Sequence, residues 1–276
     1  MTAGDMWHIT GALNPSRRAV WFKGGNTDNY IQINAAAAAR VAGNDTVGSW
    51  TAWINIPDIT GTYCIMCAGD DNAVEFLEFN VEAGLLTSRC TDAAVVQFVS
   101  QEDAVGLTPH KWHHVSMVQA AGGQGIQFYI DGVRTASTND TAADVNEWFV
   151  NLDGIDTMRI GAANKVGDAS VTNEFVGGIS NVKIFIDVLT PTEVMEDYQG
   201  IVNTNNLHNH WDFDNDFVDV GSGLDNGTLV GTSATLCPAY SEFTSRYNSI
   251  TTPVAADTIL FSATESRGDL IVIKAA

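Results

Sequence analysis

Apolar and polar positions alternate with a period of two along most of this 276-residue chain, in short runs parted by Gly, Asp, Asn and Pro. That alternation is what a strand with one buried face requires. It predicts strands at Ala19–Lys23, Tyr30–Ile33, Ser49–Ile56, Tyr63–Ala68, Val74–Val81, Leu85–Cys90 and Ala94–Val99. Trp112–Val118 is apolar on both alternating faces and reads as a central strand. After a glycine-rich break at Gly122, Gly123 and Gly125 comes Gln127–Ile130. Asp131-Gly132 then supplies the two left-handed residues of a tight hairpin. Met158–Gly161 and Phe175–Ile186 are further strands. The second alternates through Ile179, Val182, Ile184 and Ile186, with one break that predicts a bulge. Met6–Thr10 and Trp148–Val150 are shorter strand candidates.

Two stretches are helical. Asn34 is placed to cap a short helix through Ala35–Ala39. Thr190-Pro191-Thr192-Glu193 has the form of a capping box with proline in the first turn, opening a helix that ends near Tyr198, before Gly200. Nearly everything else is strand and turn, the pattern of a sandwich or barrel, and no low-complexity linker divides the chain.

Composition narrows the partners. The chain carries 13 Lys+Arg against 33 Asp+Glu, a formal net charge of -20. Phosphate backbones and anionic lipid repel such a surface, so nucleic acid is not an expected partner. No apolar stretch approaches the roughly 20 residues that span a bilayer, so no membrane insertion is expected. The first residues lack a basic segment followed by an apolar run, so no secretory signal is expected either.

Four cysteines in a chain of this length make no disulfide framework. Cys64-Ile65-Met66-Cys67 has C-x-x-C spacing within a strand-like run. An offset of three along a regular strand points the thiols to opposite faces, so buried structural cysteines are expected there. By the same rule His113 and His114 face opposite ways and cannot act as one site. One of them is expected to pack with its tryptophan.

Several segments, in order, resemble the laminin-G-like, concanavalin A-like jelly-roll superfamily of lectins and glucanases. They are Phe22–Ile33, Ser49–Ile54, Lys111–Val115 with Phe128–Gly132, Arg159–Gly161, Phe175–Phe185 and Leu189–Val194. The resemblance covers about 19–200. It implies an all-β fold: a two-sheet antiparallel jelly-roll sandwich with one or two short helices. A segment similar to the one that usually opens such domains, His210-Trp-Asp-Phe-Asp-Asn-Asp followed by Asp219 and Asp225-Asn-Gly-Thr, comes instead after the last helix. The expectation is one domain, 1–276, in permuted order, with 203–276 completing the sheets through this segment, Thr258–Phe261 and Leu270–Lys274. A truncated second repeat is the alternative.

Three chemistries follow from the resemblance. Glu78, Asn80 and Glu82 share one strand face and are similar to the acid strand of retaining β-glucanases, which makes Glu78 and Glu82 the catalytic pair if the chain is a hydrolase. Asn stands where that strand has Asp, and an ordinary solvated face, with Phe76 or Phe79 turned inward, is the competing reading. Relatives hold Ca²⁺ on rim loops. Asp28, Asp70, Asp71, Asp212, Asp214 and Asp216 are the candidate ligands here, although no cofactor is required. Trp148 is the candidate for stacking on a sugar, while Trp21, Trp53 and Trp112 are expected to pack in the core.

The function expected first is a non-enzymatic surface module for adhesion or assembly, set on a virion or extracellular surface. A capsid decoration or tail protein of a phage, acting as a homo-oligomer or bound in a lattice with other assembly proteins, fits that expectation. A Ca²⁺-dependent lectin for a cell-surface glycan and a β-glucanase are the alternatives.

Overall fold

The computed structural model describes 18–23, 28–120, 124–141, 143–152, 154–165, 171–201, 204 and 206–238, together with the backbone of Asp257–Ile259 and Ile273–Ala275. Met6–Thr10 lies outside these residues. In chain order the elements are β1 (Arg18–Lys23), β2 (Tyr30–Gln32), α1 (Asn34–Gly43), β3 (Ser49–Asn55), β4 (Thr62–Gly69) and β5 (Phe76–Glu82). Then come β6 (Leu85–Asp92), β7 (Val95–Glu102), β8 (Trp112–Ala120), β9 (Gly125–Ile130), β10 (Val133–Arg134), β11 (Ser137–Thr141) and β12 (Thr157–Ile160). The last are β13 (Val176–Phe185), α2 (Pro191–Tyr198), β14 (Leu207–Trp211), β15 (Thr228–Val230), β16 (Thr235–Pro238), β17 (Asp257–Ile259) and β18 (Ile273–Ala275).

The strands form two antiparallel sheets of eight, a jelly-roll sandwich. The first runs β10-β9-β8-β3-β13-β1-β16, with β14 also on β13; the second runs β11-β7-β6-β5-β4-β12-β2-β15. β3 takes one side of β13, while β1 and β14 share the other, end to end. The predicted hairpin joins β9 to β10, with φ of 51° at Asp131 and 79° at Gly132. The predicted break in Phe175–Ile186 is a bulge between Ser180 and Lys183, where Asn181 has a φ of 49°.

Alternating side chains from the two sheets meet in one core. Phe79 of the second sheet stacks on Phe128 of the first, with ring centroids 6.2 Å apart. Trp50 meets Trp148 at 5.6 Å and Phe149 at 6.1 Å. Each such ring removed from water contributes about 1.5–3 kcal/mol. Trp148 and Phe149 come from a loop ending in a single 3-10 turn, Phe149–Asn151, and not from the expected strand.

The helices depart from expectation in one detail. At α2 the capping box forms as read: Glu193 N donates to Thr190 Oγ1 (3.3 Å) and Thr190 N to Glu193 Oε2 (2.8 Å). At α1 Asn34 is not the cap. It is the first helical residue, and its Oδ1 accepts from Met158 N (3.1 Å), tying the helix to β12. No helix of the described residues is long and apolar enough to cross a membrane.

α2 covers the outer face of the first sheet: its Val194, with Leu189 just before it, packs with Val118, Tyr129, Phe185 and Leu207. Beneath it lies a buried polar cluster. Asp197 accepts from Thr51 Oγ1 (2.8 Å) and His114 Nε2 (3.0 Å), and pairs with Lys183 through its other oxygen. Burial alone would raise the Asp197 carboxyl, but the Lys183 ammonium and the His114 hydrogen bond outweigh it and hold it well below the usual range. Trp53 stacks on Tyr198 of α2 at 5.7 Å. So His114 does pack with a tryptophan, but with Trp53 (5.5 Å) and not its neighbour Trp112. His113 faces the other way and bonds Asp131 Oδ2 through Nδ1 (2.9 Å).

The tryptophan assignment needs a further correction. Trp21 and Trp112 do not enter the inter-sheet core. They meet edge to face at 5.8 Å and stay half-buried, while Trp53 is buried beneath α2. Core tryptophans are Trp50, Trp148 and Trp211.

Beyond α2 the chain returns to the same two sheets: β14 joins β13, β15 joins β2 and β16 joins β1. The turn between β14 and β15 is organised by buried Asp219. It accepts from His210 N (2.7 Å), Gly221 N (2.8 Å), Asp225 N (2.9 Å) and Asn209 Nδ2 (2.7 Å). The expected contribution of Thr258–Phe261 and Leu270–Lys274 to the sheets is not found among the described residues. β17 and β18 pair only with each other there, in a separate two-stranded sheet.

Two outcomes test this account. Asp197→Ala leaves the Lys183 ammonium buried without its anion and is expected to cost about 3–5 kcal/mol in urea unfolding. Burial and the nearby Lys183 also depress His210, to about 4, below its unfolded value near 6.5. Between those values the unfolded chain takes up a proton that the folded protein refuses, so stability falls as pH drops from 6.5 to 4. Urea midpoints at pH 7, 5.5 and 4 are expected to decline more in the wild type than in His210→Asn, by an amount on the order of 1–3 kcal/mol.

Candidate site on the outer face of the second sheet

The outer face of the second sheet is polar, yet its middle is enclosed. Along β5 the core takes Leu77, Phe79 and Val81, which turns Glu78, Asn80 and Glu82 outward together, as the alternation predicts. Phe79 is the inward phenylalanine; Phe76 lies on the other face with Cys64 and Cys67. In register, Glu78 sits between Cys67 of β4 and Arg89 of β6, and Asn80 between Cys64 and Thr87.

Cys64 and Cys67 share this face, contrary to the offset rule. The register of β4 slips between Cys64 and Met66, so Ile65 and Met66 both reach the core and the two thiols come to the same side. A bulge inserts one residue and reverses the parity beyond it. Burial pushes the Cys64 thiol up, and the neighbouring Cys67 and Glu78 add to the shift. Burial does the same to Cys90.

The chain after β12 crosses this face. Ala163 bridges to Thr172, Cys67 Sγ lies 3.6 Å from the Asn164 carbonyl oxygen, and Lys165 Nζ reaches Glu78 Oε2 at 2.6 Å. Glu78 is 0% exposed, and the Lys165 side chain is 17% exposed. Arg159, under the same crossing, donates to the Ala163 carbonyl (3.4 Å) and lies 4.6 Å from the Tyr30 ring centroid. Arg89 does not pair with Glu78, its neighbour in register. Its guanidinium runs along the strand to Glu82 Oε2, 2.6 Å away, and so passes over the Asn80–Thr87 row. Beneath it Asn80 is 0% exposed, and neither its Nδ2 nor its Oδ1 has a hydrogen-bond partner.

This geometry does not make a glycosidase pair. Glu78 stands opposite Arg89 and Glu82 opposite Leu85, with the Asn80–Thr87 row between them. Each is also held by a different cation, and Glu78 is closed to water.

The metal candidates do not converge. Asp70 Oδ1 accepts from Asn72 N (2.6 Å), and Asp71 Oδ1 from Asn164 Nδ2 (2.5 Å). Asp212 Oδ1 accepts from Asp214 N and Asp216 Oδ1 from Val218 N, both at 3.0 Å. Asp70, Asp212 and Asp216 brace their own turns, Asp71 ties its turn to the chain after β12, and Asp28 is exposed. Among the described residues no three acidic, histidine or cysteine side chains gather as a group that could hold a metal. The set does not fit Ca²⁺. Trp148, the candidate sugar platform, is 1% exposed and belongs to the core.

Sequence reasoning found the shared face of Glu78, Asn80 and Glu82 but missed Arg89 and Lys165. Arg89 carried a signal, a lone cation on the adjacent predicted strand. Lys165 carried none, because only the crossing chain brings it to β5.

Two antiparallel sheets packed face to face as a jelly roll are the architecture of the concanavalin A-like sandwiches. The chain belongs to the laminin-G family of the concanavalin A-like lectin/glucanases superfamily, whose model matches 24–195. No curated protein matches the chain. Among solved structures it is similar to the carbohydrate-binding module CBM40 of the Ruminococcus gnavus IT-sialidase, at 13% identity and a TM-score of 0.54, covering 65% of this chain and 96% of that one. The same module bound to α2,3-sialyllactose matches at 12% identity and a TM-score of 0.54, over 65% and 95%. A candidate carbohydrate-binding protein from Bacteroides ovatus matches at 16% identity and a TM-score of 0.54, over 81% of this chain; the chain spans 60% of that protein.

Thiol chemistry tests the burial described above. Ellman's reagent is expected to label the partly exposed Cys237 in the native protein while Cys64, Cys67 and Cys90 stay protected, and to label all four in denaturant.

Proposed function

We propose that this chain is a glycan-binding jelly-roll module that takes its ligand on the outer face of the second sheet. The observation that carries the reading is Asn80. A buried amide with both atoms unpartnered costs stability, typically about 1–3 kcal/mol, and a ligand that bonds both atoms recovers that cost. A sugar hydroxyl both donates and accepts, which matches an amide offering one oxygen and one NH₂. The charged residues around it, Arg89, Glu82 and Lys165, reach water and can add further hydrogen bonds. The likeness to carbohydrate-binding modules supports the same reading through the fold. The virion setting gains nothing from these relatives.

Binding by the full chain to a glycan array, followed by calorimetry on the retained glycan, tests the proposal. Asn80→Leu is expected to weaken binding at least tenfold, about 1.4 kcal/mol, without lowering the urea midpoint, because it removes an unpartnered group and keeps the volume. An array that retains no glycan, or an Asn80→Leu protein that binds as well as the wild type, overturns it.

A further inference from the structure

Arg89 is not held as a buried structural arginine is held. Glu82 meets it through a single oxygen, Oε2, bonded to one terminal nitrogen. A guanidinium presents a planar fork that a carboxylate fills with two parallel bonds, so most of this fork is open. The pair is also about one-third exposed on both sides, 35% and 32%, and a pair so wet is weak and readily exchanged. Glu78, the acid directly opposite Arg89, is taken by Lys165 and does not compete.

From these contacts we infer that the ligand is an acidic sugar whose carboxylate replaces Glu82 on the Arg89 fork. The inference rests on the glycan-binding reading above and names the substrate class of that site. Glu82 is then an internal stand-in for the ligand: it holds the guanidinium over Asn80 while the site is empty and turns out to water when a carboxylate arrives. Asn80, 0% exposed while the Arg89–Glu82 pair is closed, is uncovered as the guanidinium leaves Glu82 for the ligand and then meets hydroxyls of the same sugar ring. A chain of net charge -20 repels acidic glycans at long range, so a local fork that can be taken bidentately is what such a ligand needs. The contact is charged and about one-third exposed to solvent, so added salt weakens it.

The test is an array of matched glycans, sialylated and desialylated, with uronic-acid glycans and their neutral counterparts as a second arm. The full-length wild type, Arg89→Met and Glu82→Gln are compared, and urea midpoints serve as folding controls. The wild type is expected to prefer the carboxylated member of a pair at least tenfold, and the arms tell sialic from uronic acid. Arg89→Met is expected to bring the preference close to one, and Glu82→Gln to raise it several-fold by removing the internal competitor. Equal retention of acidic and neutral members, or a preference that Glu82→Gln lowers, overturns the inference and leaves glycan binding standing. Retention of no glycan at all defeats the glycan reading and this inference with it.

Discussion

Two amphipathic sheets can hide their apolar faces from water only against each other, and the contact of Phe79 with Phe128 marks where they do so. Everything else here depends on that closure. Once one face of β5 is committed to the core, Glu78, Asn80 and Glu82 have nowhere to point but outward. The same closure sets Thr51, Trp53 and His114 on the opposite outer face, under α2. The sandwich therefore has two dressed outer faces, and they are dressed differently.

On the first sheet the cover is a helix, and Asp197 gathers the charged groups beneath it, while His114 Nδ1, Trp53 Nε1 and Ser116 Oγ stay without a hydrogen-bond partner. Asp197 has partners from β3, β8 and β13, so the cluster reads as an anchor for α2. On the second sheet the cover is a crossing loop and two long cations, and the polar groups beneath are only partly satisfied. Lys165 neutralises Glu78, but Asn80 is left with both amide atoms unpaired.

The laminin-G-type sandwich hosts many functions, so belonging to that family does not choose among them. The residues of the face do more. The acid pair that would suit hydrolysis is split between two cations, and of the aspartates that would suit Ca²⁺, Asp70, Asp212 and Asp216 brace their own turns while Asp71 bonds Asn164. What is left is a buried, unpartnered amide beside a partly exposed ion pair.

Local physics alone determined much of this chain. Period-two alternation placed the strands, Asp131-Gly132 made its hairpin, the break before Val182 became a bulge, and Thr190 with Glu193 capped α2; each depends on residues within a few positions of one another. The tertiary structure decided what depends on distant neighbours. A slip in β4 brought Cys64 and Cys67 to one face, against a parity rule that holds only for an unbroken ladder. Trp148 went into the core because Trp50 was there to receive it, and Asn34 gave up its cap to reach Met158. Lys165 joined Glu78 across 87 residues of chain, and no spacing in the sequence encodes that meeting.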